Sequence, residues 1–333
     1  MTVDKCKEDY NPWFLIMPRC SVIVVTYNSG AQIEACLRAL SSQDCEVIVV
    51  DNASQDNTVP RVRALAEQLP VQLLTVSRNI GFAAGVNQGV RAANGDVLLL
   101  LNPDAVAELG AIDAILACMT ESRASAAGGA LLESDGQPAK GFAFRKLPTL
   151  TSLLFEVLLV NQSWPDNPVN RRNRCLDADY SKQQLIQQPA GACLAVTRAA
   201  WDAVQGMDPL FYPVWFEDVD FCKRLLASGA TIIYGPSARF HHSGAHSVGQ
   251  MKFRDKQMFW YQNMVRYTRK HFSPARVLIL RLGILLGMGL RTIVSLFGGG
   301  PRDLPAGEPI RSYAKVAKWA VGLDGDGGAG LPE

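Results

Sequence analysis

Paired cysteines, scattered histidines and long uncharged apolar runs are scarce in this 333-residue chain. Its eight cysteines, at 6, 20, 36, 45, 118, 175, 193 and 222, never form Cys-x-x-Cys. That spacing argues against a zinc ribbon, a thioredoxin-like motif or a disulfide framework. Cys193 sits within Gly191-Ala192-Cys193-Leu194-Ala195-Val196, as a small buried hydrophobe in a reducing compartment would. Trp13-Phe14-Leu15-Ile16-Met17 is too short for the apolar core of a secretory signal, so the expectation is a cytoplasmic protein. The most apolar segment, 277–298, is interrupted by Arg281 and Arg291 with only nine uncharged residues between them. That is short for a bilayer span, and two arginines inside one would be costly. No internal repeat is present. The turn after the first strand, Tyr27-Asn28-Ser29-Gly30, has no Lys or Arg and no dinucleotide glycine pattern. This disfavours a nucleotidyltransferase, whose glycine-rich basic loop belongs there.

Hydrophobic residues make up 48% of the chain and charged residues 19%, enough for a sizeable core. Net charge is +2, yet residues 250–291 hold nine Lys/Arg against Asp255 alone. Such a block suits an anionic membrane surface, and no nucleic-acid partner is expected; a solvated basic helix is the plain alternative.

Apolar strands and helical patterns alternate from Ser21 to Leu101. Strands are expected at 21–26, 46–50, 71–76 and 96–101, with helices at about 30–40, 57–69 and 81–93. One helix carries Ile33, Cys36, Leu37 and Leu40 on a single face. This order predicts a mainly parallel α/β sheet with right-handed crossovers. Further on, 109–120 reads as helix, and Asp135-Gly136 as a hairpin turn. Residues 161–188 read as a mobile polar loop or lid, 191–196 and 231–234 as strands, and 218–228 as helix. Residues 251–272 form an aromatic, basic amphipathic helix. The segment 277–298 reads as an in-plane interfacial helix pair or, alternatively, a core hairpin. The resulting division is an N-terminal extension over 1–18, a catalytic domain over 19–249, a basic and apolar helical extension over 250–299, and a partly disordered tail over 300–333.

Acids stand at three strand or helix ends: Asp51-Asn52-Ala53-Ser54-Gln55-Asp56, Asn102-Pro103-Asp104 and Glu217-Asp218-Val219-Asp220. Ligands of open α/β sheets bind outside the carboxyl ends of the strands. Hard oxygen ligands there suit a divalent cation and a phosphorylated ligand. Each station also has a plain reading. Asp51 could cap a turn, Asn102-Pro103-Asp104 could be a turn, Asp218 could be an N-cap, and Asp220 could pair with Arg224 on a helix surface. The glycines of 81–89 could admit a ligand or merely pack closely. His242 and His246 are four residues apart, but no zincin Glu lies between them, which makes a zinc hydrolase a remote rival.

Taken together, Val24-Val25-Thr26-Tyr27-Asn28, Val49-Val50-Asp51-Asn52-Ala53-Ser54, Arg78-Asn79-Ile80-Gly81-Phe82-Ala83-Ala84-Gly85-Val86-Asn87, Leu101-Asn102-Pro103-Asp104, Trp215-Phe216-Glu217-Asp218-Val219-Asp220 and His241-His242-Ser243-Gly244 resemble the family 2 glycosyltransferases of the GT-A fold, in their rhamnosyltransferase-like branch. The resemblance spans about two-thirds of the chain. It implies an inverting transfer of rhamnose or another hexose from a dTDP- or UDP-sugar to a lipid-linked or cell-surface glycan. The enzyme would be peripheral on the inner face of the membrane. It implies a donor nucleotide site at Thr26, Tyr27, Asn28, Asp51, Asn52, Arg78, Asn79, Gly85, Asn87 and Asn102. It implies Mg²⁺ or Mn²⁺ at Asp104 with His241, or failing that His242. Asp218 is the expected general base and Glu217 the orienting acid. Asn102 departs from the usual Asp-x-Asp by replacing a carboxylate with an amide. Rivals from other classes are a silent nucleotide-sugar-binding scaffold and a nucleotidyltransferase; an intact Asp218 disfavours the first.

Overall fold

A computed structural model describes residues 19–244, 249–299, 301, 304–305 and 307–322. The 1–18 extension, His246 and the tail beyond 322 lie outside the described residues. The elements are β1 (Cys20–Thr26), α1 (Ile33–Leu40), β2 (Glu46–Asp51), α2 (Thr58–Ala66), β3 (Val71–Thr75), α3 (Phe82–Ala92), β4 (Val97–Leu101), β5 (Ala105–Ala107), α4 (Ala111–Ser122), β6 (Ala126–Leu132) and β7 (Phe144–Arg145). There follow α5 (Leu150–Val157), α6 (Val160–Ser163), α7 (Pro168–Asn173), β8 (Gln184–Leu185), β9 (Gln188–Pro189), β10 (Cys193–Thr197), α8 (Arg198–Ala203), α9 (Glu217–Ala227) and β11 (Ile232–His242). Three helices close the chain: α10 (Phe253–His271), α11 (Pro274–Leu296) and α12 (Glu308–Ala320).

The main sheet runs β3-β2-β1-β4-β10-β6-β11-β5. β1 pairs in parallel with β2 and β4, and β6 in parallel with β11, while β10 joins the two blocks antiparallel to both β4 and β6. The expected mainly parallel, helix-flanked sheet is therefore present. Continuous apolar runs such as Val97-Leu98-Leu99-Leu100-Leu101 are fully buried, as strands covered on both faces require. Cys36 and Cys193 lie in this core, where burial pushes their thiols up to about 12.

α3 packs tightly on β1 because of its glycines. A Cβ at Gly85 would come within 2.9 Å of Val25, and one at Gly89 within 2.6 Å of Ile23. These glycines serve helix-on-sheet contact rather than ligand approach.

The structure differs from the sequence reading in several segments. Asp135-Gly136 turns the chain, but beyond it only Leu132 and Pro138 form a bridge; β7 pairs with β9 instead. The polar 161–188 segment is not a free loop. Asn167 is fully buried; its side chain caps α7 and donates to Trp164 and Asn161. Within 300–322, where no element was expected, α12 buries Tyr313, Val316 and Ala320.

The chain after 250 is integral to the fold. A second core unites Leu153 and Val157 of α5, Phe211 and Phe216 of a turn, and residues of α10, α11 and α12. α11 is long and apolar enough by length and composition to cross a membrane. It packs with one face, through Leu280, Gly283, Ile284, Gly287 and Met288. Its two interior arginines turn inward. Arg281 donates to the carbonyls of Ala320 and Trp319, and Arg291 to those of Val157 and Glu156. Both thereby satisfy carbonyls at helix C-termini, where cations are favoured. The opposite face, with Leu278, Leu282, Leu286, Ile293, Leu296 and Phe297, is exposed.

Candidate active site

A cleft of about 520 Å³ opens at the carboxyl ends of β1 and β4. Its lining includes Ser29, Phe82, Asn102, Pro103, Asp104 and His242, the acids Glu217 and Asp218, and the cations Arg145, Lys146 and Arg174; the ring of Phe142 neighbours both His242, at 5.2 Å, and the Arg145 guanidinium, at 5.9 Å. The second and third acidic stations thus share one crevice.

Asp104 is buried, and His242 Nε2 lies 3.4 Å from its Oδ1. That nitrogen is buried without a hydrogen-bond partner. A buried imidazole nitrogen without such a partner beside a buried carboxylate fits a hard divalent cation. The histidine concerned is His242, not the expected His241. β11 alternates its faces, so His241 turns outward to Glu108, 2.8 Å away, beside Arg239. The ring of His242 stacks on Phe142 at 5.2 Å. Among the described residues no group of three or more His, Cys, Asp or Glu gathers around one point.

Asp218 opens α9. Its Oδ2 accepts from Gln188 Nε2 at 3.0 Å and Gly191 N–H at 3.2 Å, and its Oδ1 from Val219 N–H at 2.8 Å. The helix N-terminus alone would favour a low pKa. Burial dominates instead and raises the Asp218 carboxyl, against the pull of those donors. Glu217 is raised well above the ordinary range by burial and then by Asp218, and its Oε2 has no partner. Both carboxyls are thus raised by burial, Glu217 well above the ordinary range, and Asp218 is the one held by three hydrogen-bond donors.

The turn before α9 is strained, with Trp215 at φ 80° and Phe216 at φ 70°. α10 clamps it. Trp260 meets both aromatic rings, at 5.6 and 5.4 Å, and Tyr267 meets Phe216 at 5.7 Å. Buried Asn263 donates to the carbonyls of Tyr212 and Val214 at 3.1 and 2.9 Å. Asp220 does pair with Arg224, at 2.8 Å, but not on a surface. It is fully buried and also meets Lys270 at 3.0 Å and His271 at 2.7 Å, so it ties α9 to α10.

The first station is held in its own hydrogen-bond web and is not among the residues lining the cleft. Thr26 Oγ1 donates to Asp51 at 2.9 Å, and Ser54 bonds the same carboxylate through its N–H and hydroxyl. Asn52 accepts from Ile80 N–H at 2.8 Å and donates to Asn79 at 2.9 Å, and Asn28 accepts from Gln55 N–H at 2.7 Å. Thr26, Asp51 and Asn52 are buried in this web, where they shape three loops; the capping alternative describes Asp51 as it stands. Tyr27 and Asn28 remain partly open, and Arg78 is exposed. Asn87 is not brought to the cleft: its amide exchanges two hydrogen bonds with the backbone of Met207. Nor does the start of α3 offer an open anion site, because Phe82 N–H donates to the Pro213 carbonyl at 2.8 Å.

Sequence reasoning missed Gln188, Asn263, Trp260 and the cationic end of the cleft. An asparagine amid the aromatic residues of 259–267 was the available signal for Asn263.

Comparison with known proteins accords with this geometry. Residues 21–143 match the family model described as Glycosyl transferase family 2. The N-acetylglucosaminyl-diphospho-decaprenol L-rhamnosyltransferase of Mycobacterium tuberculosis is 31% identical over 245 residues, covering 69% of this chain and 77% of that protein. The chain belongs to glycosyltransferase family 2, in its rhamnosyltransferase-like branch. It is a glycosyltransferase. The rhamnosyltransferase WbbL of Escherichia coli is 22% identical over 59% of this chain and 68% of its own length. Among solved structures, TarS 1–349 of S. aureus with UDP-GlcNAc superposes with a TM-score of 0.53 at 16% identity, covering 94% of this chain and 82% of that one. A mannosyltransferase of Pyrobaculum calidifontis, solved with GDP-mannose and Mn²⁺, gives 0.52 at 17%, covering 93% and 87%. At such identities they show the GT-A fold.

Two predictions follow from this geometry. His242→Ala should raise the Mn²⁺ concentration needed for donor binding on the order of tenfold or more, measured by calorimetry, while His241→Ala should leave it unchanged. Glu217→Gln should gain stability over the wild type as pH rises. A raised folded pKa means stability is complete below the ordinary value of 4.5 and is lost above it. Urea midpoints of the two proteins should coincide near pH 4.5 and separate by pH 8, the variant being higher.

Proposed function

We propose that this glycosyltransferase is inverting and moves rhamnose or another hexose from a dTDP- or UDP-sugar to a hydroxyl of a lipid-linked glycan. The observation that carries this reading is the Asp218 carboxyl, held by three donors in the cleft, with Asp104 and His242 lining the same cleft. One base and one cation-binding end suit a single displacement. The acceptor hydroxyl attacks the anomeric carbon as the bond from that carbon to the nucleoside diphosphate breaks. The hydroxyl proton passes to Asp218, whose raised pKa makes it a better base. Glu217, kept protonated, leaves Asp218 as the only anion of the pair. Asp104 and His242 would hold Mg²⁺ or Mn²⁺, which supplies positive charge to the leaving diphosphate. Tyr27, Asn28, Asp51 and Asn52 would border the nucleoside, and Asn102 would face the donor beside Asp104.

A lipid-linked acceptor is supported by the name of the M. tuberculosis relative, which specifies a diphospho-decaprenol substrate, and by the exposed apolar face of α11. With Arg281 and Arg291 turned inward, that face can lie in the acyl boundary while the basic residues of 250–276 meet anionic headgroups. The enzyme would then work peripherally at the cytoplasmic face of the membrane.

Asp218→Asn should keep donor affinity and lower the transfer rate about 10²- to 10⁴-fold. Weak donor binding with transfer intact would remove Asp218 from its role. Product anomeric configuration by NMR tests inversion. Replacing Leu282 and Leu286 by Asp should reduce sedimentation with anionic liposomes by about tenfold or more, since burying each leucine is worth about 1.5–3 kcal/mol. Unchanged sedimentation would place the membrane contact elsewhere.

A further inference from the structure

The cleft has a cationic end that the chemistry above does not use. Arg145 lies on β7, where it pairs across the ladder with Gln188 of β9. Gln188 in turn donates to Asp218. Cross-strand partners present their side chains on one face, so the guanidinium stands one rung from the base. Arg145 Nε donates to the Gly141 carbonyl at 2.7 Å. Arg174, following α7, comes to the same place: a Cβ on Gly141 would lie 3.2 Å from the Arg174 Cβ and 3.5 Å from its Cδ. Lys146 borders the same end.

Among the described residues neither arginine nor Lys146 forms an ion pair. The acid at that end, Glu156, accepts from Asn161 at 2.9 Å. Burial and then the neighbouring Arg174 lower the Arg145 pKa, opposed by Asp218 and Glu156. Two guanidiniums drawn together without a dedicated carboxylate are a costly arrangement that a bound anion relieves.

We propose that Arg145 and Arg174, with Lys146, form a subsite for the phosphate or diphosphate that joins the acceptor sugar to its lipid. The inference rests on the lipid-linked reading of the acceptor. Three placements favour the acceptor over the donor. The site adjoins the base that must touch the acceptor hydroxyl. The donor's diphosphate already has Asp104 and His242, with the ring of Phe142 neighbouring both His242 and the Arg145 guanidinium. Beyond the arginines stands α5, whose Ser152, Leu153 and Glu156 line the cleft while its other side packs on α11. An acceptor with its hydroxyl at Asp218 and its phosphate at Arg145 would then pass its lipid along α5, on the side of the cleft where α11 packs. Such an acceptor carries few sugars between the reactive hydroxyl and the phosphate, so a reaction that loads a sugar phosphate onto the lipid must precede this one.

The test uses farnesyl diphosphate as probe and farnesol as neutral control, with calorimetry on the full chain in EDTA, so that no metal assists the Asp104 end. Farnesyl diphosphate should bind the wild type, bind Arg145→Gln/Arg174→Gln about tenfold or more weakly, and bind Asp104→Asn as it binds the wild type; farnesol should not distinguish them. Arg174→Gln alone, which leaves β7 untouched, should show part of the loss. Equal binding by the wild type and the arginine variants, binding that requires metal and Asp104, or no binding by the wild type would overturn the subsite. Donor affinity with Mn²⁺ is measured in parallel and should be unchanged in the arginine variants. A loss there would assign the arginines to the donor diphosphate instead. Should the wild type bind farnesyl diphosphate through the arginines yet transfer no sugar to any sugar–diphosphate–prenyl acceptor, the transfer reading fails while the anion subsite stands.

Discussion

The active site depends on a turn that cannot hold its own shape. Trp215 and Phe216 both adopt left-handed backbone conformations, each costing about 1–3 kcal/mol for a residue with a bulky side chain. Three aromatic contacts to α10, about 0.5–1.5 kcal/mol each, and the two hydrogen bonds of Asn263, about 1 kcal/mol each, are of matching size. The turn therefore exists only because α10 is docked. With it comes the orientation of α9, and with α9 the position of Asp218. Asp220, buried among Arg224, Lys270 and His271, fastens the same two helices one turn further along. The helices after residue 250 are thus part of the catalytic apparatus as well as the proposed membrane contact, and the boundary expected at 249/250 is not a physical division.

The clamp also sets the electrostatics. Docking α10 over the turn buries Glu217 completely and Asp218 in large part, and this desolvation raises both carboxyls. Gly191, Val219 and Gln188 then donate to Asp218 alone, while Glu217 Oε2 has no partner. Two adjacent acids are thus raised unequally: Glu217 by burial and then by Asp218, and Asp218 by burial against the pull of its donors.

Much of the fold was legible because its signals are local. Leucine and valine runs gave the buried strands, and the Ile33, Cys36, Leu37, Leu40 stripe gave α1. The two acidic stations of the cleft were legible because strand ends in this architecture face one crevice. What was misread depended on distant partners. His241 and His242 differ only in the parity of an 11-residue strand, which cannot be phased from its sequence alone. Asp220 looked like a surface pair because its other partners lie 50 and 51 residues away. Asn87 and Gly85 sit within a glycosyltransferase-like motif, yet one bonds Met207 and the other packs on Val25. Arg281 and Arg291 appeared to interrupt an apolar segment. In space they leave one face of α11 uncharged, because the carbonyls that receive them belong to α12 and α5.

That last placement joins the lipid and the chemistry. Arg291 donates to the terminal carbonyls of α5, and α5 lines the cleft on its other side. α5 thus lies between α11 and the cleft. In the proposed reaction a cation at Asp104 and His242 would offset the donor's charge, and arginines lacking carboxylate partners line the same cleft beside Asp218. Two sets of positive charge in one cleft would suit two anionic substrates. A soluble neutral acceptor would leave the arginine end and the apolar face without a purpose; an amphiphile with phosphate between sugar and lipid accounts for both.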